Sequence, residues 1–222
     1  MKKNKKGLFI TFEGPEGSGK STQAKMLGEK LTQEGYKILY TREPGGTPVG
    51  EELRRIVKHV CGKEAVCDEA EILIFCASRA QHVKKLIQPH LKKGGIIICD
   101  RFADSTTAYQ GSARGINKDM VNSLHNFSTS GTLPELTFLL DLEVEKGFKR
   151  TMERENPLGL QDRIEDESRE FHHKVRNAYL QLAKEEPNRI TTISADADKN
   201  DIHNKILSKT LNFIKKSNNY LL

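Results

Sequence analysis

The 222-residue chain has no tryptophan, and its aromatic content is only 6%. It carries no basic stripe rich in aromatics, so a nucleic-acid surface built on stacked bases is not expected. No apolar stretch reaches the ~20 residues that a bilayer-spanning helix needs, so no membrane partner is expected. The basic start lacks the apolar h-region and small-residue cleavage site of a signal peptide. Cysteine is sparse: Cys61, Cys67, Cys76 and Cys99 form no CxxC pair, and His59 beside them completes no zinc pattern. Cys76 and Cys99 lie inside apolar runs and read as buried, reduced thiols, which points to a cytoplasmic setting. There is no internal repeat and no low-complexity linker. A single domain over 1–222 is expected, with a basic tail at 1–6, a core at 7–222 and a lid at about 150–166.

Charge and pattern supply the positive information. The formal net charge is +6, from 36 basic and 30 acidic side chains, which suits an anionic substrate. Short apolar runs alternate with helical patterns. Strands are expected at Gly7–Glu13, Lys37–Thr41, Ile96–Asp100, Leu136–Leu142 and Arg189–Ser194. The IIIC run of 96–99 shows no polar alternation, as expected of a strand covered on both faces. Helices are expected from Ser21 to Glu34, from Gly50 to Val60 and from Asp68 through Leu86. Others follow around Phe171–Leu182 and from about Lys199. Asp68 with Glu71 reads as a capping pair that opens the long helix. This alternation predicts an α/β fold: a five-stranded parallel sheet wrapped by helices on both faces, with a lid segment.

Between the first strand and the first helix, Gly14, Pro15, Glu16, Gly17, Ser18, Gly19, Lys20 and Ser21 match GxxxxGKS in full. In that setting the motif predicts a triphosphate cradle: inward N–H groups, a helix N-terminus, Lys20 on the phosphates and the Ser21 hydroxyl on Mg²⁺. Thr22 extends the loop into the helix. A carboxylate inside a polyphosphate loop would repel its ligand, so Glu16 is expected to face outward, towards a sugar hydroxyl or an arginine. Thr41–Thr47 (TREPGGT) follows the second strand and belongs to the ligand-binding rim, where Arg42 meets an anion or pairs with an acid such as Glu43. Asp100 and Arg101 end the third strand on that rim, suited to Mg²⁺ and to a phosphate. Phe75 and Arg79 share a helical face, an aromatic platform beside a guanidinium. Ser105–Gly115 adds hydroxyls, Tyr109, Gln110 and Arg114. Arg150, Arg154 and Arg163 flank or occupy the irregular stretch 153–166.

Taken together, EGPEGSGKST (13–22), TREPGGT (41–47), FCASRAQ (75–81), DRFADSTTAYQG (100–111) and DRIEDES (162–168) resemble the thymidylate kinases of bacteria. The resemblance implies phosphoryl transfer from MgATP to dTMP and a homodimer. It implies Phe75 stacking on thymine, Arg79 and Arg101 on the dTMP phosphate or base edge, Glu16 at the sugar 3′-hydroxyl or an associated arginine, and Arg42, Thr106, Tyr109 and Gln110 around the acceptor. Asp100 would lie near Mg²⁺. One type within the family carries a catalytic arginine in the phosphate loop. Here Ser18 and Gly19 stand before Lys20, so the arginine is expected from the lid, with Arg154 ahead of Arg150 and Arg163. Lys20, Arg101, Arg154 and Asp100 form the expected catalytic set. The alternatives are another P-loop nucleoside or nucleotide kinase and a non-enzymatic nucleotide switch. The DRF…AYQG run weighs against the first, and the lack of an NKxD motif weighs against the second.

Overall fold

The computed structural model describes residues 7–59, 64–153 and 162–217. Five parallel strands form one sheet: β1 (Leu8–Glu13), β2 (Ile38–Arg42), β3 (Ile96–Asp100), β4 (Leu136–Asp141) and β5 (Ile190–Ser194), in the order β2-β3-β1-β4-β5. The expected fold class and strand positions hold, with no strand end shifted by more than one residue. β1 pairs with β3 on one side and β4 on the other, so the chain reverses its winding beside β1. In wrapped α/β sheets ligands bind at such a reversal, outside the carboxyl ends of the strands.

Both faces of the sheet are buried, which explains the unbroken apolar runs. Leu8, Ile10 and Phe12 meet α1 (Lys20–Gln33) through Ala24, Leu27 and Leu31, and α9 (Lys199–Ser217) through Ile202 and Ile206. On the opposite face Phe9, Ile97 and Cys99 pack on Val83, Ile87 and Phe102. A third cluster joins Leu139 to Phe171, Val175 and Tyr179 of α8 (Arg169–Glu185).

The long helix is more segmented than its pattern suggested. α3 (Asp68–His82) passes into a π-helical turn at Val83–Ile87 and then into α4 (Gln88–Lys92). Pro89 stands in the first turn of that short segment, where proline is tolerated. The Asp68–Glu71 capping pair is not formed. Cys67 is the N-cap, with no side-chain cap, and Glu71 is fully buried and faces other elements. α2 (Pro48–Lys58) starts earlier than expected because Thr47 caps it, its hydroxyl accepting from the Gly50 amide at 3.0 Å. α5 (Ala103–Thr106) continues into a second π-helical turn at Thr107–Ala113. α6 (Lys118–Thr129) precedes β4, and α7 (Val144–Met152) follows it. Cys61 and Arg154, together with 155–161 of the expected lid and the basic tail at 1–6, lie outside the described residues.

Candidate active site

A cleft of about 470 Å³ opens at the carboxyl edge of the sheet. Its floor is set by strand register: Phe12, Asp100 and Arg42 are aligned across β1, β3 and β2. The loop after β1 has the backbone its glycines were expected to supply. Gly14, Gly17 and Gly19 have φ of 137°, 70° and 84°, values that L side chains rarely adopt. A Cβ on Gly14 would stand 2.3 Å from the Leu140 carbonyl oxygen, and one on Gly17 would stand 2.5 Å from that of Gly147. The loop is therefore seated against β4 and α7 as well as curled on itself.

Lys20 is buried at the foot of α1, its Nζ donating to the Pro15 carbonyl at 2.8 Å. Burial first, then Arg101, lower its pKa to about 8, against the opposing pull of Glu16 and Asp100. Ser21 donates a hydrogen bond to the Asp100 carboxylate, and both line the cleft. A hydroxyl and a carboxylate oxygen side by side are the hard donors that Mg²⁺ prefers, so these residues fit the ion.

Glu16 meets a cation, one of the partners its charge called for. It pairs with Arg101 and accepts from the Tyr109 hydroxyl at 2.9 Å. Burial alone would raise its pKa, but Arg101 and Lys20 outweigh it and hold the carboxyl well below the usual range. Arg101 has a φ of 69°, left-handed for a residue with a side chain. Its Nη1 also donates to the Gly14 carbonyl at 3.1 Å, which ties the phosphate loop to the end of β3. Beneath them Glu13 is pushed up to about 7 by burial and by Asp104, against hydrogen bonds from Ser105 and the Phe102 amide.

The other expected residues divide into those that line the cleft and those that support it. Arg42, Phe75, Tyr109 and Gln110 line it. Arg42 pairs with an acid, which is Glu51 at 2.8 Å and not Glu43. Arg79 and Thr106 stand behind the lining. Arg79 is 1% exposed; its Nε donates to Glu43 at 2.8 Å and its Nη2 to Thr106 at 3.0 Å, while its Nη1 has no hydrogen-bond partner. Of the three candidate arginines, Arg150 donates to the carbonyls of Gly17 and Ala195, behind the loop. Arg163 donates to Glu71 and to the Val57 carbonyl. Arg154 is outside the described residues.

Several lining residues were not anticipated. Arg54 and Lys58 of α2 face the cleft, as do Asp162, Ile164 and Glu165, beside Glu43, Pro44 and Ser105 from the expected rim segments. Arg54 and Lys58 are four apart, so they share a helical face, a signal the sequence did carry. Lys58 pairs with Asp162, and the Arg163 amide donates to the Lys58 carbonyl at 2.9 Å. The segment after 161 is thereby tied across the cleft to α2, a contact no local pattern announces. Tyr179 of α8, which belongs to no motif, reaches Glu13, Ser105 and Arg101.

A phosphate loop at a β1 reversal, facing a second subsite rich in arginine and aromatics, defines a P-loop phosphotransferase of the nucleoside monophosphate kinase type. The comparisons narrow this. The family model for thymidylate kinase matches residues 12–206. A thymidylate kinase of Protochlamydia amoebophila is 44% identical, over 95% of this chain and 93% of its own. One of Geotalea daltonii is 46% identical, over 84% of this chain and 88% of its own. The crystal structure of thymidylate kinase from Ehrlichia chaffeensis superposes with a TM-score of 0.73 at 32% identity, covering 92% of this chain and 99% of that one. The chain belongs to the thymidylate kinase family, whose members are ATP-dependent phosphotransferases.

Proposed function

We propose that the cleft transfers the γ-phosphoryl group of ATP to dTMP, giving dTDP, with the roles assigned as follows. The phosphate loop, Gly14 to Ser21 with Thr22, takes the triphosphate, and Lys20 neutralises its terminal oxygens. Phe75, Tyr109 and Gln110 receive the thymine and sugar, with Arg79 and Thr106 supporting them from behind, and Arg42 and Arg101 receive the acceptor phosphate. Ser21 and Asp100 would hold Mg²⁺, directly or through water, and the ion would supply further charge neutralisation. The attacking group is a phosphate oxygen that is already anionic, so no strong general base is needed. What remains is alignment and electrostatic stabilisation. The observation that carries this reading is the Glu16–Arg101 pair, which turns one side of the phosphate loop towards a second substrate.

The remaining catalytic cation is assigned to Arg154. The phosphate loop has Ser18 and Gly19 before Lys20 and so supplies no arginine of its own, and the family resemblance then assigns the cation to the lid. A homodimer is also proposed. α3 and α6 pack through Ile72, Cys76 and Val121 and leave Leu73, Met120 and Phe127 on the outside, 55%, 55% and 81% exposed. A second copy would cover that face. A cytoplasmic location is supported by the free thiols of Cys67, Cys76 and Cys99, and no helix among the described residues is long and apolar enough to cross a membrane.

The test is ADP release with ATP, Mg²⁺ and each nucleoside monophosphate in turn. dTMP is expected to be the best acceptor, and dUMP to trail it by about 10–200-fold in kcat/KM, the margin one methyl group permits. A different preferred acceptor would overturn the substrate assignment.

A further inference from the structure

We infer that Tyr179, from α8, is a positioning residue for phosphoryl transfer: its hydroxyl fixes the direction in which Arg101 presents its guanidinium to the cleft. This rests on the assignment of Arg101 as a phosphate-binding cation.

Arg101 is held at both ends. Its own amide donates to the Phe12 carbonyl at 2.9 Å, and the next amide, that of Phe102, donates to Glu13 Oε1 at 2.7 Å. These bonds keep the main chain in its left-handed turn. At the far end, Nη2 pairs with Glu16 and donates to the Tyr109 hydroxyl at 3.2 Å. Nη1 is shared among the Gly14 carbonyl, Ser105 Oγ at 3.3 Å and the Tyr179 hydroxyl at 3.1 Å.

The Tyr179 hydroxyl is itself oriented. It donates to Glu13 Oε2 at 3.0 Å and lies 2.8 Å from Ser105 Oγ, which donates to the same carboxylate oxygen at 2.6 Å. With its proton directed to Glu13, the oxygen offers lone pairs to Arg101. Glu13 thus braces both the Arg101 turn, through Oε1, and the hydroxyls that receive the guanidinium, through Oε2. Tyr179 does not line the cleft, so it acts through Arg101 and not on the substrate. Its ring is 2% exposed and meets the Tyr109 ring edge to face, with centroids 6.3 Å apart. Removing the hydroxyl therefore leaves the aromatic packing in place.

The test is a double-mutant cycle of Tyr179→Phe with Arg101→Lys, read by steady-state kinetics and thermal unfolding. Tyr179→Phe alone is expected to lower kcat about tenfold, the scale of a small misplacement in an aligned site. Its KM for ATP should stay within about twofold, and its unfolding midpoint should fall by no more than a few degrees, the scale of a lost buried hydroxyl. In the Arg101→Lys background the same substitution should cost nothing further, because the guanidinium it positions is gone. Unchanged kcat in Tyr179→Phe overturns the inference. So does an equal loss in both backgrounds, which a merely structural tyrosine would give. Should Tyr179→Phe fold poorly, Ser105→Ala removes a neighbouring acceptor of Nη1 and must show the same dependence on Arg101. Full turnover in Arg101→Lys alone would instead remove the assignment of Arg101, and the role of Tyr179 with it.

Discussion

Lys20 shows how a single side chain is tuned by what surrounds it. An exposed lysine stays charged far above neutrality, but burial brings this one down to about 8. The charged form, which the triphosphate needs, is the one present below that pKa. The kcat/KM for ATP reports groups of the free enzyme, so it is expected to fall as pH rises through about 8. A pH profile that stays flat to well above that value would show that Lys20 does not carry the phosphate interaction. At this scale the sequence was informative wherever a residue type has few uses. A lysine between glycines and a hydroxyl, or a glutamate in a polyphosphate loop, can be placed without coordinates. Arg79 could not be placed as fully. Its spacing from Phe75 showed the shared face, but not that the guanidinium would be buried between Glu43 and Thr106 behind the cleft wall.

Between elements, Glu71 joins pieces that are distant in sequence. It is fully buried, accepts from Gln110 Nε2 at 2.8 Å and from Arg114 Nη2 at 3.1 Å, and pairs with Arg163. Burial works against its charge, but these donors outweigh it and keep the carboxyl below its usual range. It thereby links α3, the π-helical turn after α5 and the segment after 161, which crosses the cleft to α2. Glu71→Ala would leave Arg163 without its carboxylate partner and Arg114 with only Asp68 and Glu167. A loss of ~3–5 kcal/mol in urea unfolding is expected. A loss below 1 kcal/mol would show that solvent or neighbours compensate. The sequence showed Glu71 three residues after Asp68 and suggested a cap, because capping is the local use of that spacing. Its actual partners lie beyond any local pattern.

For the whole molecule, the apolar face of α3 and α6 is the feature with the largest consequence. Phe127 is 81% exposed, and a second copy covering it would remove a large aromatic surface from water. Sedimentation is expected to show a dimer for the parent chain and a monomer for Phe127→Glu. A parent that sediments as a monomer at micromolar concentration would refute the dimer. Periodicity and motif chemistry alone specified the strands, their parallel pairing and the phosphate loop. The strands and the phosphate loop depend on rules that act over a few residues, and the parallel pairing follows from the helices that alternate with the strands. Tertiary structure decided which cations reach the cleft, which are consumed as supports, and that a tyrosine on α8 braces Arg101. Those outcomes depend on which side chains the winding of the sheet brings within hydrogen-bonding distance, and Arg101 and Tyr179 meet across a sequence separation of 78.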